Sequence, residues 1–183
     1  MGEMKVINYA EQASQPMADS EDVLVEFDVK HLIECLGYVR NTSYSIVQRP
    51  DVIERNAPHP DYLVEDDQTG NSLAIEHARF FESQKNRKHV AVAVRQGGGY
   101  MGFVNFPSPE ELGKRLSEFF DDKIGKGQFA EFGHCERILL ARSRWGGIST
   151  EGFLKCEPHF KPLRQKDCDH FYLIVQGHLV EIF

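Results

Sequence analysis

The chain has 183 residues, 41% hydrophobic and 27% charged, which is enough for one domain with a real core and ordinary for a globular protein. A net charge of −7 argues against indiscriminate binding to polyanions, and no apolar run nears the ~20 residues of a membrane-spanning helix. The opening Met1-Gly2-Glu3-Met4-Lys5 lacks the basic-then-apolar pattern of a signal peptide, so a cytoplasmic location is the default expectation.

Residues 1–19 are polar and aperiodic after Met4-Lys5-Val6-Ile7 and read as a flexible, loosely held N-terminal segment ahead of a single domain over 20–183. Ser20 suits the N-cap of a helix to about Leu36, with Gly37 as its stop. Val25, Val29, Leu32, Ile33 and Leu36 have the spacing of a buried helical face, although Val23, Val25, Phe27 and Val29 also alternate as a strand would. Tyr44–Gln48 reads as a first strand ended by Pro50.

A β-hairpin follows. Asp61 stands where its first strand begins, Asp66-Asp67-Gln68-Thr69-Gly70-Asn71 has turn chemistry, and Glu76 stands near the middle of the return strand. A turn centred near residues 68–69 sets Asp61 opposite Glu76, with facing side chains ~5 Å apart. Alternation puts Ala74, Glu76 and Ala78 on one face and Ile75, His77 and Arg79 on the other. A carboxylate within an apolar run is costly unless it is solvated, paired or bound to a cation. The pair therefore points to a divalent-metal site. Mg²⁺ (or Mn²⁺) suits it, because Mg²⁺ needs only one or two carboxylates and keeps several waters.

Downstream, His89–Val94 reads as a buried strand, Gly97-Gly98-Gly99 as a turn and Tyr100–Phe106 as a further extended segment. Gly97-x-Gly99-x-x-Gly102 spells a dinucleotide fingerprint, but no helix follows to hold a pyrophosphate. Ser108-Pro109-Glu110-Glu111 is a capping box with proline at the first helical position, and it opens a helix with an apolar stripe of Leu112, Leu116, Phe119, Phe120 and Ile124 that ends at Gly125. Arg137–Ala141 is a strand, and His170–Val175 with His178–Phe183 form a terminal hairpin about Gln176-Gly177. The order of elements predicts an α/β fold, a mixed central β-sheet flanked by helices.

Pro60-Asp61, followed after a turn by Ile75-Glu76-x-Ala78, resembles the core of the PD-(D/E)XK nuclease-like superfamily. The similarity covers roughly residues 20–80. It implies a restriction-endonuclease-like core, with Asp61 and Glu76 binding Mg²⁺, the backbone carbonyl of His77 completing the metal shell, and phosphodiester hydrolysis by a metal-activated water. The lysine that the family carries two positions after the glutamate is Ala78 here. Arg79, Lys85 and Lys114 are the candidates to replace it. Arg79 can only stabilise charge, because a guanidinium is a poor proton acceptor, so Lys114 joins Asp61 and Glu76 in the expected catalytic set. An acid from the first helix, Glu26 before Glu34, is the implied support for the metal or its waters. The alternative is a catalytically silent scaffold of the same fold that binds nucleic acid or protein.

Charge is unevenly spread: residues 1–82 carry a net −10 and residues 83–183 a net +3. Lys85, Arg87 and Lys88, and Arg137, Arg142 and Arg144, are basic clusters that a nuclease acting on DNA or RNA can set against phosphates, and Trp145 is an aromatic that can stack on a base. Cys156-x-x-His159 with Cys168-x-His170 offers four zinc-type ligands, the second pair tighter than a common knuckle. All four cysteines are expected reduced.

Overall fold

The computed structural model describes residues 4–6, 21–53, 58–80, 107–143 and 149–183. In chain order its elements are β1 (Lys5–Val6), α1 (Glu21–Arg40), β2 (Tyr44–Gln48), α2 (Pro50–Ile53), β3 (Tyr62–Asp66), β4 (Ser72–Phe80), α3 (Pro109–Ile124), β5 (Glu136–Ser143), α4 (Thr150–Leu154), β6 (His170–Val175) and β7 (His178–Glu181). The Ser20 cap, the strand at His89–Val94, the glycine run at 97–99, the segment Tyr100–Phe106, the cluster Lys85, Arg87 and Lys88, and the pair Arg144 and Trp145 all lie outside the described residues.

The strands form one sheet of seven in the order β1-β7-β6-β5-β4-β3-β2. β2, β3 and β4 are an antiparallel meander, β4, β5 and β6 run parallel, and β6–β7 and β7–β1 are antiparallel. The fold is therefore α/β with a mixed sheet. The N-terminal segment expected to be loosely held gives Lys5–Val6 to the sheet edge beside β7 and buries Met4 in the core.

Each sheet face carries its own core. Val29, Leu32, Ile33 and Leu36 of α1 pack on Tyr62, Val64, Leu73, Ile75, Ile138 and Leu140. Leu112, Leu116, Phe120 and Ile124 of α3 pack on the other face, against Ala74, Ala78, Leu139 and Ala141. Strand alternation sends the two sets of side chains to opposite sides of β4 and β5.

Helical spacing in α1 prevails over the competing alternation at Val23–Val29, and the helix runs four residues past Leu36. Its stop is Asn41, in the left-handed region at φ 54°, where the Thr42 N–H reaches back to the Gly37 carbonyl at 3.0 Å. Gly37 is needed for that close approach, since a Cβ there would lie 2.7 Å from the Thr42 carbonyl oxygen. At α3 the Ser108 hydroxyl accepts the Glu111 N–H at 3.1 Å, as the capping box requires. The β6–β7 turn has both central residues at positive φ, Gln176 at 51° and Gly177 at 84°, the pairing a two-residue hairpin favours.

Gly113 lets α3 sit directly on the 3-10 turn Glu157–His159: a Cβ there would stand 2.6 Å from His159 Cβ and 2.9 Å from the Cys156 carbonyl oxygen. On an open helix Gly→Ala would gain about 1 kcal/mol. Here Gly113→Ala is expected to destabilise by about 1–3 kcal/mol, because backbone must move to admit the methyl. Denaturant unfolding checks the sign, and a stabilised variant would contradict this packing.

Candidate metal centre

The β3–β4 ladder pairs Tyr62 with Ile75, Leu63 with Ala74, Val64 with Leu73 and Glu65 with Ser72. Asp61 lies in the bend just before β3, one residue beyond the last pair of this ladder, and Glu76 is the next residue of β4. The hairpin turn is held by Asp66, whose carboxylate accepts from the Gln68 and Thr69 N–H groups and the Thr42 hydroxyl at 2.8–3.0 Å, with Gly70 at φ 72°.

Asp61 Oδ2 accepts the His77 backbone N–H at 2.7 Å. The N–H and carbonyl of one strand residue point to the same side, so His77 and Ile75 address β3 while Glu76 addresses β5. Asp61, Glu76 and the His77 main-chain carbonyl are the oxygen donors at this open end of the hairpin. A hard divalent cation takes such a set, so the residues present fit Mg²⁺ or Mn²⁺. Among the described residues no group of three or more His, Cys, Asp and Glu side chains is placed to hold a metal.

Glu76 is 8% exposed and lies on the α3 side of the sheet with Ala74 and Ala78. Gln128, in the turn after α3, donates from Nε2 to Glu76 Oε1 at 3.3 Å. The same turn carries Phe132, whose ring meets the His59 ring edge-on at 5.7 Å.

On the other face, behind Glu76, a buried ionic cluster holds the strand. The His77 ring points toward α1, with Nε2 2.9 Å from Asp28 Oδ2, and Arg142 Nε lies 2.7 Å from the same oxygen while its Nη2 pairs with Oδ1. Asp28 is 1% exposed and Arg142 5%. Burial pushes the Asp28 carboxyl up, but hydrogen bonds from Arg142 and then His77 outweigh it and hold the group below its ordinary value.

Compared with family models, curated proteins and solved structures, the chain matches none. The functional reading therefore rests on the chemistry of these side chains.

Several expected participants stand elsewhere. Lys114 lies on the solvent face of α3, 77% exposed and 4.0 Å from Glu118, because the buried stripe of that helix is Leu112, Gly113, Leu116, Ser117 and Phe120. This removes it as the basic group at the acid pair. Glu26 pairs with Lys30 at 2.7 Å near the surface, and Glu34 is exposed; among the described side chains of α1 the acid that turns inward is Asp28. Arg142 is buried in its ion pairs and Arg137 binds Asp169 at 2.8 Å, so neither forms an open phosphate-binding cluster. The zinc-type residues do not gather. Cys156 and Cys168 are buried in the α3-side core, where loss of water pushes both thiols up to about 12, and His170 Nε2 faces Glu136 at 3.0 Å. All four cysteines are free thiols. No described helix is long and apolar enough to cross a membrane.

Asp28 and Gln128 are absent from the set that the sequence suggests. Asp28 had a signal, since it falls between Val25 and Leu32 on the buried stripe of α1, where an acid needs a partner. Gln128 had none, because Gly125-Lys126-Gly127-Gln128 reads only as a turn.

Proposed function

We propose that the protein is a PD-(D/E)XK-like, Mg²⁺-dependent nuclease that hydrolyses phosphodiester bonds in DNA or RNA, with Asp61, Glu76 and the His77 carbonyl as its metal ligands. The observation that supports this reading is the hydrogen bond from the His77 amide to Asp61, which ties the start of β3 to the β4 residue next to Glu76. A helix on each face of a mixed sheet is the scaffold that the resemblance implies.

Each residue has a share that its surroundings explain. The 2.7 Å bond from the His77 N–H fixes the Asp61 carboxylate against β4, which would orient it as a metal ligand. Glu76 is placed mid-strand, between Ala74 and Ala78 on the same face of β4. The Asp28–Arg142–His77 cluster pins residue 77 from behind, so its carbonyl cannot swing as the site fills. The ion, when bound, would lower the pKa of a water and stabilise charge on the phosphate oxygens.

The direct test is cleavage of plasmid and single-stranded DNA or RNA with Mg²⁺ or Mn²⁺. Wild type is expected to cleave and Glu76→Ala to fall to the no-metal background; equal activity in the two removes Glu76 from the reaction. A second reading is a silent scaffold that binds nucleic acid or protein, favoured by Ala78 in the lysine position and by the 8% exposure of Glu76. That scaffold would bind without cleaving in the same assay.

A further inference from the structure

We infer that Gln128 is a positioning residue of the acid pair, holding the Glu76 carboxylate from the α3 side where the family lysine is absent. This rests on the metal-site reading and adds a residue to it. Gly127, at φ 78°, takes a backbone conformation that side chains disfavour, and it turns the chain so that Gln128 points back at β4. Phe129 anchors the next position, 7% exposed in the α3-side core, and the Phe132 N–H closes the turn on the Phe129 carbonyl at 3.0 Å. With Phe132 against His59, this one turn touches both sides of the hairpin mouth: Glu76 on β4 and the residue just before Pro60.

The chemistry of an amide defines the role. Gln128 donates from Nε2 to Glu76, so its Oε1 is an acceptor, able to take a hydrogen bond from water beside the carboxylate. It can orient but cannot accept a proton at neutral pH. In hydrolysis the water oxygen bonds to phosphorus, the bond from phosphorus to the leaving oxygen breaks, the water proton passes to solvent rather than to this side chain, and the leaving oxygen takes a proton from solvent. Partners that orient metal ligands in this way typically change metal affinity or activity about 10–100-fold when removed.

The experiment is titration of the full chain with Mn²⁺, followed by calorimetry, alongside cleavage kinetics. Gln128→Ala is expected to weaken Mn²⁺ about tenfold and to lower kcat about tenfold with KM for DNA unchanged. Gln128→Glu is expected to tighten Mn²⁺ by adding a third carboxylate. A merely structural role would shift the unfolding midpoint and leave the opposite signs of these two affinity changes unexplained. If both variants hold wild-type affinity while Glu76→Ala abolishes uptake, the metal site stands and the inference about Gln128 is overturned. If wild type takes up no Mn²⁺, both readings fall.

Discussion

Asp28→Ala is expected to cost about 3–5 kcal/mol of folding stability, because it strands a buried guanidinium. Arg142 is 5% exposed and is compensated by hydrogen bonds to one carboxylate, while the His77 ring loses its Asp28 partner in the same step. The cost comes from charge left in a low-dielectric site and exceeds what the lost contact itself contributes. Replacing the pair together, as Asp28→Leu with Arg142→Met, is therefore expected to recover most of the loss. Urea unfolding of the three proteins checks both points. A loss below about 1 kcal/mol for Asp28→Ala, the range of exposed ion pairs, would contradict a buried cluster.

Ala78→Lys is expected to raise metal-dependent cleavage by about 10²-fold, the lower end of what a positioned acid–base group contributes. Ala78 is 4% exposed, two residues after Glu76 on the same face of β4 and level with Ala141 of β5, so a lysine there shares the site with the acid pair. Its ammonium would be held by the neighbouring carboxylates, and its stem would lie on the apolar face. The cost is some loss of stability from crowding the α3-side core, read from the unfolding midpoint. A folded variant that cleaves no faster than wild type contradicts the idea that the missing lysine limits this site.

Much of the architecture was legible because it is written locally. The capping box at Ser108 and the Gln176-Gly177 hairpin depend on backbone chemistry within a few residues, and both stand where their residues indicate. The hairpin register was also readable, since the turn chemistry between Tyr62 and Ile75, which pair, has one natural centre near residues 68–69. Gly37 misled because a glycine near a helix end can serve either as the left-handed stop or as a point of close approach, and here Asn41 takes the first role. What was not legible is tertiary. Lys114 was attractive by sequence proximity to a capped helix, but the apolar stripe of that helix turns it to solvent. Arg142 looked like part of a basic cluster, and its alternation with Ile138 and Leu140 carries it inward instead, to an acid 114 residues away. Gln128 meets Glu76 only because α3 returns the chain across the sheet, a contact no local pattern encodes.

The most direct measurement is an anomalous difference map at the manganese edge from crystals grown with Mn²⁺. A single peak is expected within about 2–2.3 Å of one carboxylate oxygen from Asp61, one from Glu76 and the carbonyl oxygen of His77. A map with no peak between the two acids, at an Mn²⁺ concentration that saturates ordinary two-carboxylate sites, would contradict the metal-centre reading and with it the nuclease.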